Sequence, residues 1–340
     1  MADVTDAAFR RIIAKYSKHL DVGKIQGLAL KKLPLRPDLV FFRRPSRGGP
    51  DVMWTEFVSV DGLCSDGREI LLRDFLYTEA ERPIVAQIFG SKPDNFYKVA
   101  ALIKKLGFDG IDINMGCPDR NVERQGGGAA MIKTPELAIE VIRAAQEGGE
   151  GLPVSIKTRI GFNKVELETW IPKLLAAKVA AITVHARTRK EMSKVPARWG
   201  HVKEVVAMAK GSGTLIIGNG DVKDLEDARA KAAETGADGI MLGRAIFGNP
   251  FLFQGESSAF RGLTLEQKSK EKLRVMVEHT KLFHELLGDI KNFAVMKKHF
   301  KAYVNGLNGA KELRMKLMAA ETPEDVEEIV TDFLAQEVKI

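Results

Sequence analysis

The chain has few of the residues from which disulfide frameworks and metal centres are built. It contains 2 cysteines, Cys64 and Cys117, among 340 residues. That number excludes a disulfide framework and fits a reducing cytoplasm. Cys and His residues do not stand together at zinc spacing, so we expect no metal site. No apolar run approaches a membrane span and no basic-then-apolar signal opens the chain, so we expect a cytoplasmic protein without a membrane partner.

An excess of acidic residues is also missing. Lys and Arg total 52 against 45 for Asp and Glu, which gives a net charge of +7. This balance is compatible with a polyanionic partner but indicates little alone, because many basic proteins bind no nucleic acid. Hydrophobic residues make up 45% of the chain, so a large core can form and wholesale disorder is excluded.

Between about residues 52 and 245, short β-branched runs alternate with longer segments of helical periodicity. This alternation predicts a parallel sheet covered by helices. Polar residues end nearly every run, as the mouth of a barrel requires, so we favour a (β/α)8 TIM barrel over an open doubly wound sheet. The seven predicted strands are "DVMWTEFVSV", "PIVAQIFG", "DGIDINMGC", "PVSIKTRI", "AAITVHAR", "TLIIGNG" and "DGIMLGR".

The eighth strand of such a barrel should precede "VTDAAFRRIIAKY", which has the pattern of a helix. We expect Thr5 to cap this helix and Phe9, Ile12, Ile13 and Tyr16 to face inward. Only "MADV" is left to supply the strand, so we expect the first strand to be truncated or the true start to lie upstream. Thr134 and Pro135 similarly predict the start of a later helix.

Two further segments differ from the barrel pattern. After about residue 262 no strand signal remains and four helices are predicted. We therefore expect a barrel domain at residues 1–258 and a helical domain at residues 262–340. A basic insertion at about residues 24–49 interrupts the barrel. The helical segment between residues 291 and 316 carries seven cations against one acid. For each of these two basic regions, two interpretations are open: a solvated or flexible surface, or a surface that contacts phosphates.

Strand periodicity separates an apolar face from a polar face on the predicted strands. The apolar residues should face the helices, and the polar residues should face the barrel interior near its carboxyl-terminal mouth. Several cations would then share one mouth, which is costly without an anion to meet them. We therefore expect a bound anionic ligand among Gln87, Asn114, Lys157, Arg159, His185 and Arg187.

The last two strands end in "GNGDV" and "LGRAIFGNP". Gly218, Gly220 and Gly243 permit close approach of the backbone, and Arg244 supplies a bidentate donor. The phosphate site of a barrel commonly follows strands seven and eight. These turns therefore indicate a phosphorylated cofactor. Cys117, on the turn after "DINMG", is either a reactive thiol or a small buried side chain.

Together these motifs resemble those of the tRNA-dihydrouridine synthases. The resemblance rests on "MADVTDAAFRR", "PIVAQIFGS", "DINMGCPDRNVERQGGGAAMI", "VSIKTRIG", "ITVHARTR", "LIIGNGDV", "GIMLGRAIFGNP" and "MKKHFKAYVNGLNGAKELRMKL". It covers nearly the whole chain except residues 24–49. It implies an FMN-binding (β/α)8 barrel followed by a helical domain. It also implies that uridines of tRNA are reduced to dihydrouridine, with NADPH as reductant of the FMN.

The resemblance also implies roles for single residues. Cys117 would be the general acid that protonates uracil C5 after hydride reaches C6. Cofactor contacts would come from Met1, Gln87, Lys157, His185, Asn219, Gly220, Asp221, Gly243 and Arg244. Asn114 would contact the uracil, and Arg159 and Arg187 would face the flipped base or nearby tRNA phosphates. From the basic helical segment itself we expect substrate contacts at Lys297 and Lys298, and at His299, which belongs either to the core or, as we favour, to the surface that faces tRNA. Cys64 is expected to be structural, and the chain is expected to be a monomer.

Two other functions remain open at this point. An FMN barrel could act on a free pyrimidine, as the dihydroorotate dehydrogenases do with a Cys or Ser near the flavin, but the basic helical segment argues against this. The second alternative is an RNA-binding protein without reductase activity, and the presence of Cys117, Lys157 and His185 together argues against it. The position of the modified uridine in tRNA is not encoded by any local motif.

Overall fold

The computed structural model describes residues 5–17, 49–254 and 262–337. Four expectations fall outside these residues. They are the flavin contact of Met1, a strand before Thr5, the basic insertion over residues 24–48, and the end of the barrel domain at residue 258.

Seven parallel strands form one sheet in strict chain order, and all seven were predicted. Consecutive strands pair in parallel with helices between them, which is the arrangement of a (β/α)8 barrel. Within the described residues β1 and β7 are the two edges of this curled sheet. The strands are β1 Met53–Ser59, β2 Ile84–Phe89, β3 Gly110–Met115, β4 Val154–Arg159, β5 Ala181–His185, β6 Leu215–Asn219 and β7 Gly239–Met241.

The strands separate their side chains as the period of two requires. On β3, Ile111, Ile113 and Met115 are fully buried in the large core between sheet and helices. Asp112 and Asn114 point to the opposite face and are buried there. The helices of this region are α1 Ala7–Ser17, α2 Val60–Leu63, α3 Arg68–Leu72, α4 Pro93–Lys105, α5 Arg120–Arg124, α6 Pro135–Gly149, α7 Leu167–Ala176, α8 Gly200–Ala209 and α9 Leu225–Thr235.

Two helix caps differ from the expectation. Asp6 caps α1, because its Oδ1 accepts from the Phe9 N–H at 2.9 Å. The expected cap Thr5 stands one residue too early for this contact. Pro135 occupies the first position of α6 as predicted, but the Thr134 side chain makes no capping hydrogen bond. The ψ angle of Thr134 is 64°, far from the extended backbone that lets a cap side chain fold back on the helix.

Helix α1 joins two separate hydrophobic cores. Its Phe9 and Ile13 belong to the barrel core, while Ala8 and Ile12 belong to a second core. That second core lies among α10 Leu265–Leu287, α11 Met296–Tyr303, α12 Ala310–Ala319 and α13 Pro323–Glu337. These correspond to the four helices predicted after residue 262. No helix of the described residues is long and apolar enough to cross a membrane.

A buried ion pair ties the helical region to the barrel. Lys291 lies just before α11, and its side chain is 15% exposed. Its Nζ donates to Glu56 Oε2 on β1 at 2.6 Å and lies 2.8 Å from Asp74 Oδ1. The two carboxylates raise the pKa of Lys291 although burial opposes them. The first cation of the basic segment is therefore bound to the barrel rather than presented to solvent.

Candidate active site

The polar ends of neighbouring strands meet at one mouth of the sheet. Strand register places Asn114 opposite Lys157, Arg159 opposite His185, and His185 opposite Asn219. Gln87 stands beside this row and donates to Asp112. The structure therefore brings together the polar residues that strand periodicity selected.

The turn after β3 presents Cys117 and is held by Asn114. The Asn114 Oδ1 accepts from the N–H groups of Gly116 and Cys117 at 3.1 and 2.9 Å. Its Nδ2 donates to Gln87 Oε1 at 3.2 Å. Asn114 is 7% exposed, so much of its hydrogen-bonding capacity is used to shape the turn.

Two more contacts immobilise this turn. The Arg159 Nε donates to the Gly116 carbonyl at 2.7 Å, and the Ala129 N–H donates to the Cys117 carbonyl at 3.0 Å. Gly128 has φ of +59°, and a Cβ there would lie 2.7 Å from the Cys117 carbonyl oxygen. The "GGG" run therefore packs against the cysteine, and only glycine fits at its last position.

The Cys117 thiol is held in its protonated form. Burial raises its pKa and the charge of Asp119 acts in the same direction, while a hydrogen bond with the Asp119 backbone and the charges of Arg159 and Lys157 oppose the shift. A thiol that stays protonated near neutral pH is suited to donate a proton rather than to act as a thiolate nucleophile.

Lys157 is a cation of the mouth whose N–H donors are not used by the described residues. Burial lowers its pKa to about 8, Arg159 lowers it further, and Asp112 and Cys117 oppose the shift. Its ammonium makes no hydrogen bond or ion pair within the described part of the chain. It therefore remains mostly charged at neutral pH and can bind an anion or an electron-rich oxygen.

His185 is neutral in this setting. Burial lowers its pKa to about 2, and the cations Lys157, Arg159 and Arg187 act in the same direction. Arg187 Nη1 lies 3.1 Å from His185 Nε2. Because a guanidinium only donates, Nε2 must accept, and the ring proton is therefore on Nδ1.

Arg159 and Arg187 are buried, at 6% and 3% exposure. Arg159 Nη1 donates to the carbonyls of Thr188 and Met192 at 3.1 and 3.2 Å. Arg187 Nε donates to the Val195 carbonyl at 2.5 Å, and its Nη2 forms an ion pair with Asp221. The resemblance implied that both would face the flipped base or nearby tRNA phosphates. Among the described residues, these guanidiniums bind the backbone of loops around the mouth, and Arg187 also binds Asp221.

The turn after β6 keeps its glycine for steric reasons, whereas the turn after β7 does not. Gly220 has φ of +124°, and a Cβ there would lie 2.9 Å from Ala197 Cβ and 3.1 Å from His185 Cδ2. At Gly243 a Cβ would point into open space. Asn219 Nδ2 donates to the Met241 carbonyl at 2.8 Å and joins the two turns.

Asp221 carries the negative charge of this region. It accepts from Arg244 Nη2 at 2.7 Å and from the Ala197 N–H at 2.9 Å, in addition to its ion pair with Arg187. These contacts lower its pKa. Arg244 is 66% exposed, so it retains donors that point to solvent at the mouth.

The expected RNA contacts of the helical region divide into buried and exposed residues. His299 is fully buried and lies 5.3 Å from the Phe9 ring and 4.7 Å from the His279 ring. The expected contact of His299 with tRNA is therefore wrong, because its imidazole packs inside the junction of the two cores. Lys297 is partly exposed, and the exposed cations of α11 and α12 are Lys298, Lys301, Lys311, Arg314 and Lys316.

Two features of the site are not among the residues predicted from the sequence. Asp112 is fully buried and lies at the centre of the hydrogen-bond network behind Asn114. Its signal was a carboxylate on the inward face of a strand. Glu123 on α5 and Arg189 on the loop after β5 form a two-contact ion pair, with both contacts at 2.5 Å. No local pattern relates these two residues.

Comparisons with known proteins agree with these motifs. A family model described as "Dihydrouridine synthase (Dus)" matches residues 1–339. "Probable tRNA-dihydrouridine synthase 2" of Bacillus subtilis (strain 168) is 39% identical over 302 residues, covering 87% of this chain and 90% of that protein. "Probable tRNA-dihydrouridine synthase" of Staphylococcus aureus (strain COL) is 34% identical over 341 residues, covering 99% and 92%. An old yellow enzyme homologue from Zymomonas mobilis aligns with a TM-score of 0.45 at 14% identity, over 73% of this chain and 82% of that chain.

Proposed function

This chain belongs to the dihydrouridine synthase family, and we propose that it reduces specific uridines of tRNA to dihydrouridine with FMN and NADPH. The observation that carries this proposal is the Cys117 thiol. It is held by its backbone in a rigid turn and kept protonated beside an ammonium group without a protein partner in the described residues.

The residues of the mouth fit an anionic flavin mononucleotide. Lys157 offers a charged ammonium with spare donors, and a Lys of this kind stabilises negative charge on a reduced flavin ring. Gln87 and neutral His185 offer polar atoms beside it. At the turns after β6 and β7, the open side of Gly243 and the exposed guanidinium of Arg244 suit a phosphate. Asn219 and Gly220 shape these turns, and Asp221 orients Arg244.

The protein contributes a proton and a fixed geometry to the reaction. When bound, reduced flavin supplies the hydride that reaches uracil C6. Cys117 Sγ donates the proton that C5 then requires, which leaves the thiolate near the charges of Lys157 and Arg159. Asn114, Arg159 and the Gly128 turn hold the cysteine in place. Rigid placement of the donor removes the need to order it at the moment of proton transfer.

The substrate must leave its stack to reach the mouth. A uracil inside folded RNA is accessible to such a site only after it is flipped out. The exposed cations of α11 and α12 offer contacts to the RNA backbone, and Lys297 and Lys298 belong to this surface. Because Arg159, Arg187 and His299 are buried, the phosphate contacts come from the exposed lysines of α11 and α12 and from Arg314.

The experiment is a reduction assay on unmodified tRNA. Purified protein is expected to bind FMN and to form dihydrouridine when NADPH is added, as measured by mass spectrometry of nucleosides. Free uridine and orotate serve as control substrates. Turnover of either free pyrimidine without turnover of tRNA would contradict the proposed function.

A further inference from the structure

Asp112 is a charged residue at the centre of the mouth with no solvent access. Its exposure is 0%. One carboxylate oxygen, Oδ1, accepts from Ser155 Oγ at 2.6 Å, and the other, Oδ2, accepts from Gln87 Nε2 at 2.6 Å. Burial raises the pKa of Asp112 to about 6, against the hydrogen bonds of Ser155 and Gln87 and the charge of Lys157.

A chain of hydrogen bonds leads from this carboxylate to the cysteine. Gln87 Nε2 donates to Asp112, and Gln87 Oε1 accepts from Asn114 Nδ2. Asn114 Oδ1 then accepts from the N–H of Cys117. Backbone N–H groups at one end can only donate, and an ionised carboxylate at the other end can only accept. The orientation of both amides is therefore determined from the two ends.

We propose that Asp112 is a positioning residue for Cys117, because its carboxylate orients the Gln87 and Asn114 amides that hold the backbone of the cysteine. This inference rests on the proposed function in so far as Cys117 is the proton donor. Without an acceptor at Asp112, Gln87 Nε2 is buried without a partner, since Gln87 is 5% exposed. The Gln87 amide then turns to find another acceptor and withdraws Oε1 from Asn114.

A different role would be purely electrostatic. Asp112 is a buried carboxylate whose charge raises the pKa of Lys157, against burial and Arg159. The two roles predict different behaviour for two variants of similar size. Asp112→Asn keeps a carbonyl oxygen for Gln87 and removes the charge. Asp112→Leu removes both the acceptor and the charge.

The experiment uses the flavin-loaded protein with Cys64→Ser as background, so that Cys117 is the single cysteine. Two rates are measured for each variant. One is the reoxidation of reduced flavin by unmodified tRNA in a single turnover. The other is the alkylation of Cys117 by iodoacetamide, which needs no catalysis. Flavin content, flavin reduction by NADPH and thermal unfolding are recorded alongside. Ser155→Ala is the matched control, since it removes one hydrogen bond to Asp112 but leaves the amide chain intact.

With Asp112→Leu we expect tRNA-dependent reoxidation to fall roughly 100-fold, as a misplacement of about 1 Å can produce. The rate of Cys117 alkylation should change at the same time, and flavin reduction by NADPH should fall far less. Asp112→Asn and Ser155→Ala should stay within about fivefold of the background protein. Asp112→Ser, whose hydroxyl is too short to reach Gln87, should repeat the loss if the leucine variant does not fold.

Equal losses with Asp112→Asn and Asp112→Leu would overturn the positioning role in favour of the charge. Unchanged reoxidation and alkylation in Asp112→Leu would remove Asp112 from the mechanism. The alkylation assay is independent of the substrate. If the protein proves inactive on tRNA, the proposed function fails, while the alkylation rates still decide whether Asp112 positions Cys117.

Discussion

The mouth of the barrel and the helical region are both rich in cations but use them differently. In the mouth, Arg159 and Arg187 are buried and bind loop carbonyls, while Lys157 and the exposed Arg244 keep donors available. In the helical region Lys291 is bound to Glu56 and Asp74, while the cations of α11 and α12 are exposed. A run of basic residues in a sequence therefore contains both structural and binding cations, and burial distinguishes them.

The largest effect is expected where the mouth donates its proton. Cys117→Ala should retain FMN but lose at least about 100-fold in the single-turnover rate of tRNA reduction, because general acid catalysis contributes roughly 10²–10⁴-fold. Cys64→Ala, which changes the other, exposed cysteine, is the control. Full activity of Cys117→Ala would remove the thiol from the mechanism.

The next prediction compares two cations of the same mouth in the protein without flavin. Arg159→Met leaves the carbonyls of Gly116, Thr188 and Met192 without this donor, and we expect a loss of about 3 kcal/mol in unfolding free energy. Lys157→Met removes an ammonium without a protein partner in the described residues and should cost less than about 1 kcal/mol. Denaturant unfolding measures both, and equal losses would contradict the distinction.

A pH dependence should come from the junction of the two cores. Burial lowers the pKa of His299 to about 4, below its unfolded value near 6.5. Between these values the unfolded state binds more protons. The contribution of His299 to the free energy of unfolding is therefore fully present above about pH 6.5 and declines as the pH falls toward 4. His299→Phe should reduce the decline in stability without abolishing it, because burial also lowers the pKa values of His279 and His185, which act in the same direction. Unfolding at several pH values measures the change. The exposed His284 provides the control His284→Gln, and equal flattening in that variant would contradict the assignment.

The smallest effect concerns single surface cations. Lys301→Gln should leave stability within about 0.5 kcal/mol and reduce the salt dependence of tRNA binding by about one unit of slope. Lys291→Gln should instead reduce stability, because Glu56 and Asp74 lose their buried partner. Binding titrations at several salt concentrations and unfolding curves separate the two. An unchanged slope with Lys301→Gln would place this residue outside the RNA surface.

Much of the fold follows from periodic patterns in the sequence. All seven strands and the four C-terminal helices were predicted, because alternation and helical spacing are local properties of the chain. Helix caps were harder to predict. Asp6 rather than Thr5 caps α1, because a shift of one residue changes which side-chain oxygen reaches the Phe9 N–H. The convergence of Gln87, Asn114, Lys157 and His185 was also predictable, because parallel strands present their ends at one edge.

The strand order, the polar face of each strand and the position of Cys117 on a turn after β3 are all encoded locally, because they depend on neighbours in the chain. Which polar residues remain available for a ligand depends instead on tertiary packing. The guanidiniums of Arg159 and Arg187 bind loop carbonyls, and His299 packs against Phe9 and His279. Asp112 accepts hydrogen bonds from Gln87 and Ser155 on the two neighbouring strands. A buried donor or acceptor must be paired, and its partner is set by packing between elements far apart in sequence.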